Sequence, residues 1–199
     1  MAKQFAAIDA TRREFIGRQK IFFTASAAAG TRVNISPRST DHLHVLSDNA
    51  VAYLDMTGSG SETSAHLIAD GRLTLMFCAF EGAPLILRLY GRGHSAFHGS
   101  DEYEAFLDAH YGGVAPLGAR QVVFLDVDLV QTSCGYGVPF FDYVGERPTM
   151  ARWAENKGPD GLVAYRCKNN AVSMDGLPTG MPEAEETAEQ RSGHPAENI

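Results

Sequence analysis

The sequence predicts a mainly β protein with inserted helices, an α+β arrangement in which six or seven antiparallel strands curl into a Greek-key or meander barrel. Three features lead there. Apolar and polar residues alternate with period two through much of residues 21–132, the spacing of strands that bury one face. Joints between strands are short and carry turn residues, as in Glu81-Gly82-Ala83-Pro84, which suits hairpins and leaves no room for the crossover of a parallel pair. Helical segments fall between strands without the strict alternation of a doubly wound sheet.

Residues 9–19 set Phe15 and Ile16 among Arg12, Arg13, Glu14 and Arg18, a short amphipathic helix capped by Asp9 or Thr11. Residues 21–26 and 31–37 read as a hairpin around Ala28-Ala29-Gly30, with Arg32, Asn34 and Ser36 on one strand face and Val33 and Ile35 on the other. That polar face is either a solvent-facing edge, which Pro37 permits, or a binding surface. Residues 51–55 form the next strand and run through Gly58 and Gly60 into a helix over 62–69. Two long strands follow at 72–80 and 85–97. In the first, Leu73, Leu75 and Phe77 alternate with Thr74, Met76 and Cys78, so burial on both faces is expected. Ser100 or Asp101 caps a helix through His110, residues 120–132 make a further strand, and Pro148 and Pro159 open two more helices. Residues 1–180 therefore read as one domain with a C-terminal helical extension. Residues 181–199, with Glu183, Glu185, Glu186 and Glu189 among small residues, read as a disordered acidic tail.

At 199 residues and a net charge of -7, the chain can bury one core, and it shows no basic face for nucleic acid. Cys78, Cys134 and Cys167 are odd in number and unpaired in spacing, which suits a reducing cytoplasm and excludes a disulfide framework. No apolar run reaches the ~20 residues of a membrane span, and no secretory leader is visible. His42 and His44 lack a third metal ligand, and no GxSxG elbow accompanies a serine nucleophile.

What remains is suited to gripping an anionic cofactor. Thr57, Ser61 and Thr63 surround a helix start whose free N–H groups face forward; Ser61 also reads as an N-cap. Arg88 interrupts an apolar strand and calls for an anion or an internal carboxylate such as Asp55 or Asp126.

The order of residues 21–26, 32–38, 51–67, 73–77 and 87–93 resembles the pyridoxamine 5′-phosphate oxidase-like family of FMN-binding split barrels, over roughly residues 15–131. Residues 131–139 and 173–178 resemble an uncharacterised branch of it, distinct from the biosynthetic oxidase. The resemblance implies a split β-barrel working as a homodimer with FMN between subunits, in an oxidoreductase or reductase acting on a small molecule with NAD(P)H as a possible donor. It implies cofactor contacts from Arg32, Asn34, Ser36, Arg38, Thr57, Ser61, Glu62, Thr63 and Arg88. Where the oxidase has Ser-Arg-Lys at the helix start, this chain has Ser61-Glu62-Thr63. The phosphate would then fall to Arg32, Arg38 or Arg88 with the helix N-terminus. The oxidase's C-terminal Arg-x-His substrate element has no counterpart, which argues against pyridoxamine phosphate oxidation. The alternative is a protein that binds flavin, deazaflavin or haem without turnover.

Overall fold

A computed structural model describes residues 2–182. Eight strands form one antiparallel sheet, β3-β2-β6-β7-β8-β5-β4 in order, with β1 added on β8. They are β1 (Lys3–Phe5), β2 (Ile21–Ser26), β3 (Asn34–Ser39), β4 (Leu43–Val45), β5 (Ala50–Met56), β6 (Arg72–Cys78), β7 (Ile86–Phe97) and β8 (Ala119–Ser133). The six longer ones are those the alternation predicts. The added β1 and β4 are three residues each, too short for a periodic signal. Four helices intervene: α1 (Ala10–Arg18), α2 (Glu62–Ala69), α3 (Asp101–Tyr111) and α4 (Thr149–Asn169).

The sheet curls because β7 can press against β8. Register shifts between Tyr90 and Gly91, and a Cβ on Gly91 would lie 1.8 Å from the Asp126 carbonyl oxygen, so only glycine fits this bulge. The concave side holds the main core, including Phe22, Tyr53, Leu75, Phe77, Leu87, Leu89 and Leu125. Phe77 stacks on Phe22 at 5.8 Å and Tyr53 meets it edge-on at 5.5 Å. Each such fully buried side chain contributes about 1.5–3 kcal/mol. A second cluster forms where α3 lays Tyr103, Phe106 and Leu107 over Leu54, Ala96 and Val122 on the other face of β5, β7 and β8. Ser100 caps α3 by accepting from the Tyr103 N–H at 3.3 Å, and Gly112, at φ 63°, ends it.

Three expectations are modified. The β3 strand starts at Asn34 rather than Thr31, because Thr31 closes the preceding turn onto the Ala28 carbonyl. Its polar face is divided: Arg32, ahead of the strand, is exposed, whereas Asn34 and Ser36 turn inward and leave Val33 and Ile35 68% and 64% exposed, since the polar side chains of β2 and α2 give Asn34 and Ser36 neighbours. On β6, Leu73, Leu75 and Phe77 are fully buried and Cys78 on the opposite face is buried as expected, but Thr74 and Met76 on that face are only half-buried.

At the C-terminal end, α4 is two helices meeting at Gly158 (φ 66°), with Pro159 starting the second. Met181, which the composition groups with the acidic tail, is buried; the rest of that segment beyond Pro182 lies outside the described residues.

Candidate functional site

The strand ladder does not join β3 to β4; a polar cluster spans the gap. Asp55, at the end of β5, is 1% exposed. It accepts from Arg38 of β3, from Arg120 Nε at 2.9 Å and from Gln121 Nε2 at 2.7 Å. Burial alone would raise the Asp55 carboxyl, but Arg120 and Arg38 outweigh it and hold it at about 2. Arg38 loses solvent on burial, yet Asp55 keeps its pKa above the ordinary arginine value. Its guanidinium also lies 4.8 Å from the Tyr53 ring centre.

This cluster supports the loop that leads into α2. Arg120 Nη2 donates to the Gly60 carbonyl at 2.7 Å, Asn170 Nδ2 to that of Gly58 at 3.0 Å, and Arg166 Nη1 to Thr57 Oγ1 at 3.2 Å. Thr57 in turn donates to the Gly118 carbonyl through both its N–H and its hydroxyl. Residues 57–60 are therefore pinned from β8 and α4 at once. At the start of α2, the Ser61 side chain makes no capping bond; the Ser61 N–H instead donates to Glu62 Oε2 at 3.1 Å. Asn34 Nδ2 donates to Thr63 Oγ1 at 3.1 Å, and Ser36 Oγ to Asn34 Oδ1 at 3.4 Å.

The pinned loop separates two hollows, and Ser59 lines both. The smaller, about 440 Å³, is polar and is bounded by Arg32, Asn34, Gly60, Glu62 and Asp175. The larger, about 1420 Å³, runs from Thr57 along the end of α1 and the β6–β7 turn, under Phe80, Phe141, Tyr143, Trp153 and Tyr165. Such a wall, apolar with a few charged groups at its rim, suits a flat ring system.

Of the residues the sequence singles out, Arg32, Asn34 and Glu62 line the small hollow; Thr63 and Ser36 are hydrogen-bonded to Asn34 beside it, Ser61 is buried next to Glu62, Arg38 pairs with Asp55, and Thr57 stands at the edge of the large cleft. Arg88 stands apart within the chain. Its cross-strand neighbours are Met76 and Gln131, it lies on the sheet face opposite the buried Leu87 and Leu89, and Nη1 donates to Ser133 Oγ at 3.2 Å. Asp55, a carboxylate the sequence offers as partner for Arg88, is taken by Arg38 and Arg120.

Sequence reasoning missed Arg120 and Asp175 as parts of this site. Arg120 passes for the start of an apolar strand. Asp175 sits in the Ser173–Pro178 stretch noted for its resemblance, and its carboxylate receives the Arg32 N–H at 2.8 Å and the Arg32 guanidinium. A tight turn presents it, with Gly176 (φ 84°) donating to the Ser173 carbonyl at 3.0 Å.

Residues 8–134 match the family model described as pyridoxamine 5′-phosphate oxidase. The chain belongs to the pyridoxamine 5′-phosphate oxidase family. A relative in Aspergillus flavus, the pyridoxamine 5′-phosphate oxidase family protein ustO, is 39% identical over 184 residues, spanning 83% of this chain and 73% of that protein. Among solved structures, a single-residue variant of HupZ from Group A Streptococcus is similar at TM-score 0.52 and 20% identity, covering 63% of this chain and 99% of that one. A pyridoxamine 5′-phosphate oxidase-like protein of Lactobacillus delbrueckii has TM-score 0.49 and 12% identity, covering 63% of this chain and 94% of that one. The curled antiparallel sheet is the split barrel of this family. The family match ends where β8 ends, so Phe141, Tyr143, Trp153, Tyr165 and Asp175 lie on the C-terminal addition that completes both hollows.

Proposed function

We propose that this family member is an FMN-dependent oxidoreductase, with the flavin ring in the aromatic cleft and its polar tail across the 57–60 loop in the small hollow. The observation that carries this reading is the shared wall: one rigid loop, pinned by Arg120, Arg166 and Asn170, borders both an aromatic space and a polar one. Family membership supports a flavin over other ring cofactors.

The hollows fit the ring and a hydroxylated tail. Asn34 and Ser59 offer an amide and a hydroxyl to the tail, and Trp153, Tyr143 and Phe141 offer faces to the ring. When bound, the flavin supplies hydride acceptance and donation. The protein's part is to position it, to exclude water with the aromatic wall, and to keep the 57–60 backbone fixed through its three clamps. NADH or NADPH would serve as donor and an unidentified small molecule as the other substrate.

A homodimer is part of this proposal. Ile35 projects from the edge strand and Val33 from the turn just before it, and Phe23, Met76 and Tyr90 are half-buried on the outer face. A second copy laid there would cover this strip and remove the exposed edge of β3. Arg88, on that face, would then approach a site of the other subunit.

The test is direct. Protein purified after expression is expected to be yellow and to release FMN on denaturation; a colourless protein that takes up no flavin on reconstitution overturns the reading. Carriage of flavin, deazaflavin or haem without turnover is a second reading, favoured by Glu62 standing where the oxidase has a cation. NAD(P)H oxidation by the loaded protein with a panel of acceptors separates the two.

A further inference from the structure

The anion-binding groups around the small hollow are already occupied by the chain's own carboxylates. Arg32, the cation of the hollow, is engaged through its backbone N–H and its guanidinium by Asp175. The forward N–H of Ser61 at the start of α2 is engaged by Glu62, whose other oxygen accepts the Met174 N–H at 3.4 Å. Arg38 and Arg120, behind the strand, share Asp55. The ionisable residues lining the hollow, Arg32, Glu62 and Asp175, sum to one negative charge. A phosphate dianion placed there meets two carboxylates and one cation, which opposes its binding.

Asp175 is held in place by more than the ion pair. Its turn is closed by Ser173 N–H donating to the Leu177 carbonyl at 2.8 Å. Its base is fixed to α2 and α4 by Ser64 Oγ donating to the Thr179 carbonyl at 2.7 Å and Thr179 Oγ1 to the Asn170 carbonyl at 2.5 Å. Asp175 is therefore a built wall of the hollow.

Resting on the flavin reading above, we infer that this site holds the flavin through its planar ring and hydroxylated chain, and that the terminal phosphate of FMN adds little to its affinity. Grip comes from the aromatic cleft, and the tail meets Ser59, Asn34 and the carboxylates of Glu62 and Asp175, which accept hydroxyl hydrogen bonds. Asp175 and Glu62, which engage Arg32 and the Ser61 N–H, are what withhold a contribution from the phosphate.

The experiment titrates the flavin-free full chain with riboflavin and with FMN in parallel, following the quenching of flavin fluorescence. The expected result is a ratio of dissociation constants below about ten. FMN binding more than about tenfold tighter overturns the inference and leaves the flavin reading standing. Binding of neither removes the flavin reading and this inference with it. Asp175→Asn tests the cause: with the fold verified by circular dichroism, the preference is expected to move toward FMN on the order of tenfold, since one negative charge beside the phosphate is gone. Glu62→Gln is expected to move it in the same direction while keeping a side-chain acceptor for Ser61. Two folded variants with an unchanged riboflavin-to-FMN ratio would overturn the assignment.

Discussion

Arg32 and Arg38 stand on the same stretch of chain, and each meets a carboxylate, but the two pairs differ in what surrounds them. Arg38 reaches across an open seam of the barrel to Asp55, which is wholly buried and shared with Arg120 and Gln121. Arg32 is 71% exposed and meets Asp175 at the rim of a hollow. A buried charge cannot exchange its partner for water, so the first pair belongs to the scaffold. The second is screened by solvent and contributes little to stability, so its effect falls on what the hollow admits.

Asp55 is the residue whose loss costs the scaffold most. Asp55→Ala leaves two guanidinium groups facing each other without their shared acceptor and unpins Gly60; a loss of about 3–5 kcal/mol is expected, read as a fall in the urea midpoint. Acid probes the same group. Its folded pKa, about 2, lies below its ordinary value of 3.8, so its contribution is full above pH 3.8 and is lost as pH falls toward 2. A urea midpoint in Asp55→Ala equal to that of the parent chain would contradict the scaffold role.

A smaller effect is expected at the far side of β4. His42 Nδ1 and His44 Nε2 lie 3.0 and 3.2 Å from the Tyr111 hydroxyl, whose single proton can serve only one of them. Burial lowers both histidine pKa values, and His110 and His42 lower that of His44 further. Their folded pKa values lie below the ordinary 6.5, so the unfolded chain takes up protons first and stability declines as pH falls below about 6.5. His44→Gln is expected to flatten that decline between about pH 7.5 and 5.5 in thermal melts, and an unchanged slope would show that the cluster does not titrate as a unit.

The least stability change is expected from Arg32→Ala, under about 1 kcal/mol by the same melts. A larger loss would place Arg32 in the scaffold with Arg38.

How far the sequence carries this picture varies with the kind of signal. The 62–69 helix is legible to the residue because a hydroxyl- and glycine-rich loop precedes an apolar run, and the Pro159 start is legible because proline is at home in a first helical turn. The inward turn of Asn34 and Ser36 is not. Alternation tells which residues share a face, and only the tertiary neighbours Thr63 and Thr24 decide which face is inside. The Asp55 cluster is hidden for a related reason: Arg38 and Arg120 lie 17 and 65 residues from Asp55, and no local pattern brings them together. Arg88 shows the converse, a conspicuous charge in an apolar run that the pleat directs away from the others.

The chain contains a single tryptophan, Trp153, and it stands in the wall of the large cleft, edge-on to Tyr165 at 5.0 Å. All indole emission from this protein thus originates at one known point. A yellow chromophore seated nearby would absorb that emission by resonance transfer, so occupancy, and the rate at which it changes after rapid mixing, can be followed optically without attaching any label.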